Sequence, residues 1–99
     1  MRAQFLARAN DRLSLAADVL CKLEQQPTDA TTMHDMRQHF HWLAGVGGTY
    51  KIPEVSDLGA AAEELCDEII DGRRTLSNDE VRRLSDILDR AKTLISQAN

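Results

Sequence analysis

Apolar residues recur at alternating steps of three and four along nearly the whole 99-residue chain, a spacing that stacks them on one face of an α-helix. Leu6, Ala9, Leu13, Ala16, Leu20 and Leu23 form the first ladder, and Met33, Met36, Phe40, Leu43 and Gly47 the second. Val55, Leu58, Ala62, Leu65 and Ile69 form the third, and Val81, Leu84, Leu88, Ala91 and Ile95 the fourth. No stretch alternates with period two, so strands are not expected.

The segments between the ladders carry helix start and stop signals. Pro27-Thr28-Asp29 closes the first helix and supplies an N-cap for the second, the cap oxygen accepting otherwise unpaired amide protons. Pro53 is placed at the first turn of the third helix, where a missing N–H costs nothing. Asp71-Gly72 ends that helix, and Ser77 with Glu80 reads as a capping box for the fourth. The connections come to roughly 3–6 residues, short enough to make neighbouring helices antiparallel. The expected fold is all-α, an antiparallel up-down-up-down four-helix bundle forming a single domain over residues 1–99. Such a domain could stand alone or be one module of a longer protein.

Composition removes several function classes. Twelve basic residues against sixteen acidic ones leave a formal charge of −4, without the basic face that nucleic-acid binding requires. Aromatic residues make up only 4%, too few for base-stacking platforms. No apolar run approaches the roughly 18–20 residues that cross a bilayer. Met1-Arg2-Ala3-Gln4-Phe5 leads straight into a charged helical pattern, which predicts no secretory signal and a cytoplasmic location. Cys21 and Cys66 have no CxxC partner and are expected as buried thiols on apolar helix faces. His34, His39 and His41 are spaced by five and two, not by the four that places two ligands on one helix face, so no metal site is expected.

The chemistry concentrates in His39-Phe40-His41-Trp42-Leu43-Ala44-Gly45-Val46-Gly47-Gly48-Thr49-Tyr50. Each glycine costs a helix about 1 kcal/mol relative to alanine, so three within four positions argue that side chains there would obstruct something. Gly47 lies on the apolar ladder, where close helix packing accounts for it. Gly45 and Gly48 lie off the ladder, one and two turns beyond His41 on its face. Phe40 faces the core, so His41, about 100° further round, projects at the edge of the buried stripe or outside it. An imidazole beside stripped helix backbone makes a docking surface. His39 and His34 are expected as packing or solvated residues, and Tyr50 as a packing or rim residue. Phe5 is expected to cover one end of the bundle, and Asp67, Glu68, Asp71, Arg73 and Arg74 to form a solvated face.

His41-x-Leu43-x-Gly45 followed by Val46-Gly47-Gly48-Thr49-Tyr50 resembles the histidine-containing phosphotransfer (HPt) domain of multistep phosphorelays, whose usual pattern is H-x-L-K-G-x-x-x-x-x-G. Pro53-Glu54-Val55, Leu58 and Glu63-Glu64-Leu65 are also similar to that family. The resemblance implies that His41 accepts a phosphoryl group from a receiver-domain aspartyl-phosphate and passes it to another receiver. It implies a carrier without its own ATP site, with receiver domains and a hybrid histidine kinase as partners. Mg²⁺ would be carried by the receiver, with no cofactor on this chain. Gly45, Gly48, Ala44 and Trp42 would form the receiver-docking surface. A monomer is expected, since the apolar residues suit one bundle's core.

Two positions depart from the pattern. Ala44 stands where the family usually has lysine, and Lys51 where it usually has the closing glycine. The first removes a cation near the imidazole; Arg37, one turn before His41 on the same face, is the expected substitute. The second places a lysine where glycine adopts a left-handed conformation without strain. The missing lysine leaves an alternative in a different class: a phosphorylation-incompetent helical adaptor that binds a receiver or associates with itself.

Overall fold

Asp29 starts α2 as the sequence requires: its carboxylate accepts from the backbone N–H of Thr31 at 3.1 Å and of Thr32 at 3.5 Å, and from the Thr32 hydroxyl at 2.9 Å. The computed structural model describes residues 2–97, with the side chains of Arg2, Ala3 and Leu6 outside that description, so the Leu6 rung of the first ladder is not covered. Four helices follow in order: α1 (Arg2–Gln25), α2 (Ala30–Thr49), α3 (Pro53–Ile70) and α4 (Asn78–Gln97). No strand occurs among the described residues. Pro53 opens α3, and Gly72 (φ +80°) follows its end in the left-handed region.

Among the described residues α1 packs on α2 and α4, α3 packs on α2 and α4, and the diagonal pairs do not meet. Cross-helix contacts fix the directions. Phe5 at the start of α1 stacks on Tyr50 after α2, ring centroids 3.8 Å apart, and Glu54 at the start of α3 pairs with Arg90 late in α4. The bundle is up-down-up-down, 39 Å long and 20 Å across.

The ladders bury as read for α1 and α2: Ala9, Leu13, Ala16, Leu20 and Leu23 on one helix, and Met33, Met36, Phe40, Leu43 and Gly47 on the other. Phe5 joins them at the end of the core. Fully buried side chains such as Phe40 and Leu43 contribute about 2 kcal/mol each by removal of apolar area from water. α3 is turned relative to its ladder. Val55, Gly59, Ala62, Leu65 and Cys66 are buried, whereas Leu58 and Ile69 are only half-buried. The cause is α2, which approaches closely enough to demand glycine at position 59. In α4, Ile87 replaces Val81 in the buried set.

Three local expectations are corrected. Cys21 is exposed rather than buried, because Leu20 and Leu23 take the core side of that turn. Cys66 is buried, which pushes its thiol up to about 12. The 71–77 connection is one residue longer than expected, and it turns Leu76 into the core. At the α4 start, Glu80 accepts from the Ser77 backbone N–H at 3.4 Å, but the Ser77 hydroxyl bonds the same carboxylate, so the reciprocal half of the capping box is not made.

Candidate functional site

The α2–α3 pair approaches closest at its glycines. A Cβ built on Gly47 would lie 2.2 Å from the Ser56 backbone nitrogen, and one on Gly59 would lie 2.4 Å from that of Ala44. Neither position accepts a side chain unless the helices separate. The Ser56 hydroxyl donates to the Ala44 carbonyl at 2.9 Å across the same seam. These contacts fix the antiparallel register. One turn back along α2 and one turn on along α3, the register brings His41 opposite Glu63, and a further turn brings Arg37 opposite Asp67.

His41 is 68% exposed, and its Nδ1 lies 3.0 Å from Glu63 Oε2. Glu63 is far less exposed, at 18%. An ionised carboxylate only accepts, so Nδ1 is the nitrogen that carries the proton in this contact. In the neutral ring this contact leaves Nε2 unprotonated, with its lone pair available. Arg37 reaches the same Oε2 through Nη2 at 3.2 Å and donates through Nε to Asp67 Oδ1. The Asp67 carboxylate raises the Arg37 pKa from its ordinary value. The expected substitute cation therefore sits one turn from the imidazole, with two of its nitrogens bound to α3 rather than pointing to solvent. Asp67, expected only as part of a solvated face, anchors it.

Gly45 and Gly48 are exposed, and a Cβ on either would meet nothing within 4 Å. The helix surface beyond His41 is bare, as the sequence predicts. An open groove of about 360 Å³ continues from it, lined by Gly47, Gly48, Lys51, Pro53, Ser56 and Asp57. Ala44 is half-buried at the α3 seam and its backbone is covered by Gly59. Trp42 faces the other way, toward α1, half-buried with the Arg12 guanidinium carbon 5.2 Å from its ring centroid. Arg12 Nε also donates to His39 Nδ1 at 3.0 Å. Burial, together with the Arg12 charge, lowers the His39 pKa. His39 and His41 thus serve opposite sides of α2, and His34 is exposed near its start. Among the described residues no cluster of three or more His, Cys, Asp or Glu is placed to hold a metal ion.

The end of α2 carries the second departure from the motif. Lys51 adopts φ +60°, its N–H donates to the Gly48 carbonyl at 3.4 Å and the Ile52 N–H to the Gly47 carbonyl at 2.8 Å. This is a Schellman closure with lysine in the left-handed position.

Glu63 is the residue of the candidate site that sequence reasoning did not single out. It stands in the segment similar to the HPt family, but the partner of an imidazole 22 positions away is set by helix register. Gly59 was the available signal: an interior glycine four residues after Val55 and three before Ala62 marks the close approach that sets this register.

A family model described as Hpt domain matches residues 1–94. Among curated proteins, the chain is similar to chemotaxis protein CheA of Bacillus subtilis (strain 168), 26% identical over 91 residues that span 92% of this chain and 14% of that protein. It is similar to the CheA of Borreliella burgdorferi, 26% identical over 92 residues, 93% of this chain and 11% of that one. CheA of Halobacterium salinarum is 26% identical over 85 residues, covering 86% and 13%. The chain therefore spans only a small part of the length of these relatives. In fold it matches the CheA phosphotransferase domain from Thermotoga maritima with a TM-score of 0.92 at 19% identity, covering 97% of this chain and 91% of that one. No described helix is long and apolar enough to cross a membrane.

Proposed function

The chain belongs to the Hpt domain family, and on that premise we propose that it carries phosphoryl groups on His41 between receiver domains. The observation that carries this reading is an imidazole 68% exposed, with Nδ1 held by Glu63, on a helix whose next two turns are cleared of side chains at Gly45 and Gly48. In the forward step Nε2 attacks the phosphorus of a receiver's aspartyl-phosphate, approximately in line. The new N–P bond forms as the P–O bond to the aspartyl carboxyl breaks, and the carboxylate leaves on the receiver. The ring becomes cationic, with Nδ1 still protonated, and the Glu63 carboxylate lies beside that charge. Transfer to a second receiver reverses these events.

Such a step depends on positioning and charge compensation more than on proton transfer. The chain acts as a carrier without its own ATP site, with receiver domains and a histidine kinase as partners. Mg²⁺ belongs to the receiver. Gly45 and Gly48 contribute the docking surface, Ala44 borders it at the α3 seam, and Trp42, expected there too, is turned to the α1 side of α2. Arg37 keeps a cation on the carboxylate that the imidazole also uses. The similarity to a phosphotransferase domain and to chemotaxis proteins supports a role in two-component signalling.

The test is incubation with a receiver carrying radiolabelled aspartyl-phosphate. Acid-labile, base-stable label is expected on the wild type and none on His41→Gln. Binding of the receiver with no label on the wild type would replace the carrier with the adaptor.

A further inference from the structure

The transfer step as drawn uses His41 and Glu63 but leaves Asp67 and the geometry of Arg37 without a role. A glutamate side chain has three rotatable bonds, and one contact with a largely exposed imidazole does not fix it. Glu63 Oε2 has a second partner, Arg37 Nη2 at 3.2 Å. The guanidinium is a rigid planar fork, so the direction of Nη2 is set once Nε is held. Asp67 Oδ1 holds Nε. Asp67, Arg37 and Glu63 alternate in sign along the α2–α3 seam, and the series ends at the His41 ring. Arg37 and Asp67 are each half-exposed, at the edge of the seam and not in its core.

We propose that Arg37 and Asp67 are positioning residues for phosphoryl transfer, acting through Glu63 to hold the His41 ring in the tautomer and orientation that offer Nε2 to phosphorus. The inference rests on His41 being the phospho-acceptor. Arg37 here acts on the carboxylate that orients the nucleophile, so a point charge does not substitute for it. Lysine can satisfy Glu63 or Asp67 but lacks the fork that spans both.

The experiment pairs two readouts on the full chain. ¹⁵N chemical shifts of the His41 ring, recorded without receiver and above the histidine titration range, report which nitrogen bears the proton. Transfer kinetics from a phosphorylated receiver separate the saturated rate from the half-saturating receiver concentration. Wild type should be protonated on Nδ1. Arg37→Gln and Asp67→Asn should each move population to the Nε2–H tautomer. Each should also slow the saturated rate about ten-fold, as misplacement around a reacting group does, with the half-saturating concentration little changed. The double variant should be no slower than Arg37→Gln alone, because Asp67 works through Arg37. Arg37→Lys should behave like Arg37→Gln. Helical circular dichroism on each variant checks that the bundle is intact. A wild-type tautomer in both single variants would overturn the positioning role, as would restoration of rate and tautomer by Arg37→Lys. A wild type that takes no label would instead overturn the acceptor assignment, and with it the link between tautomer and transfer.

Discussion

Glu63 Oε2 lies 3.0 Å from His41 Nδ1 across the α2–α3 seam, joining a largely exposed ring to a mostly covered carboxylate. The contact assigns the two ring nitrogens different tasks: one is tethered, the other is open. It predicts that Glu63→Ala slows phosphoryl transfer about ten- to a hundred-fold, the range seen when an orienting partner of a reactive group is lost. Stability should change by no more than about 1 kcal/mol, as for other partly exposed ion pairs. Single-turnover transfer and urea unfolding check the two halves.

The glycines of α2 should divide sharply. Gly45→Ala places a methyl in open space and should stabilise the fold by about 1 kcal/mol through helix propensity, while weakening receiver binding at the cleared surface. Gly47→Ala drives a methyl into the Ser56 backbone and should destabilise by about 1–3 kcal/mol, the cost of overpacking. Denaturant midpoints and receiver titrations measure both.

Lys51 holds a left-handed backbone at the end of α2. That conformation costs a residue with a Cβ about 1–2 kcal/mol, and glycine recovers it less its greater entropy in the unfolded chain. Lys51→Gly should therefore stabilise by about 0.5–1 kcal/mol. Thermal melting tests this, and transfer activity should be unaltered.

His39 gives stability a pH dependence. Burial first, then the Arg12 charge, lowers its pKa, against an opposing pull from Asp35. The unfolded chain then binds more protons than the folded one between the two titrations, so stability rises with pH. The contribution is complete above about pH 6.5, the unperturbed value for histidine, and is lost as pH falls through the lower folded value. Protonation also removes the acceptor that Arg12 Nε uses. The melting temperature of wild type should fall between pH 7 and pH 5, and His39→Gln should flatten that slope.

Helix boundaries and the α1 and α2 ladders were legible because they rest on local signals: the Asp29 cap, Pro53, Gly72 and a stripe repeated every three or four residues. The bare backbone at Gly45 and Gly48 was legible for the same reason, as a penalty that local structure does not explain. Cys21 was misplaced because one step along a helix is about 100°, and the sequence does not say where the stripe ends. The rotation of α3 was missed because leucine and isoleucine at 58 and 69 look more like core than Gly59 does, although Cys66 is buried as expected. That choice is made by the partner helix. Glu63 and Asp67 became site residues through the same register, which no property of α3 taken alone specifies.

The ring, its tether, the guanidinium and the anchor all project from α2 or α3, and those helices meet backbone to backbone at Gly47 and Gly59. The reactive apparatus is thus contained in a single hairpin. α1 and α4 supply core residues to it but none of the four groups. Sliding α3 by one residue along α2 would swing the tether about 100° away and disarm the nucleophile while every helix stayed formed.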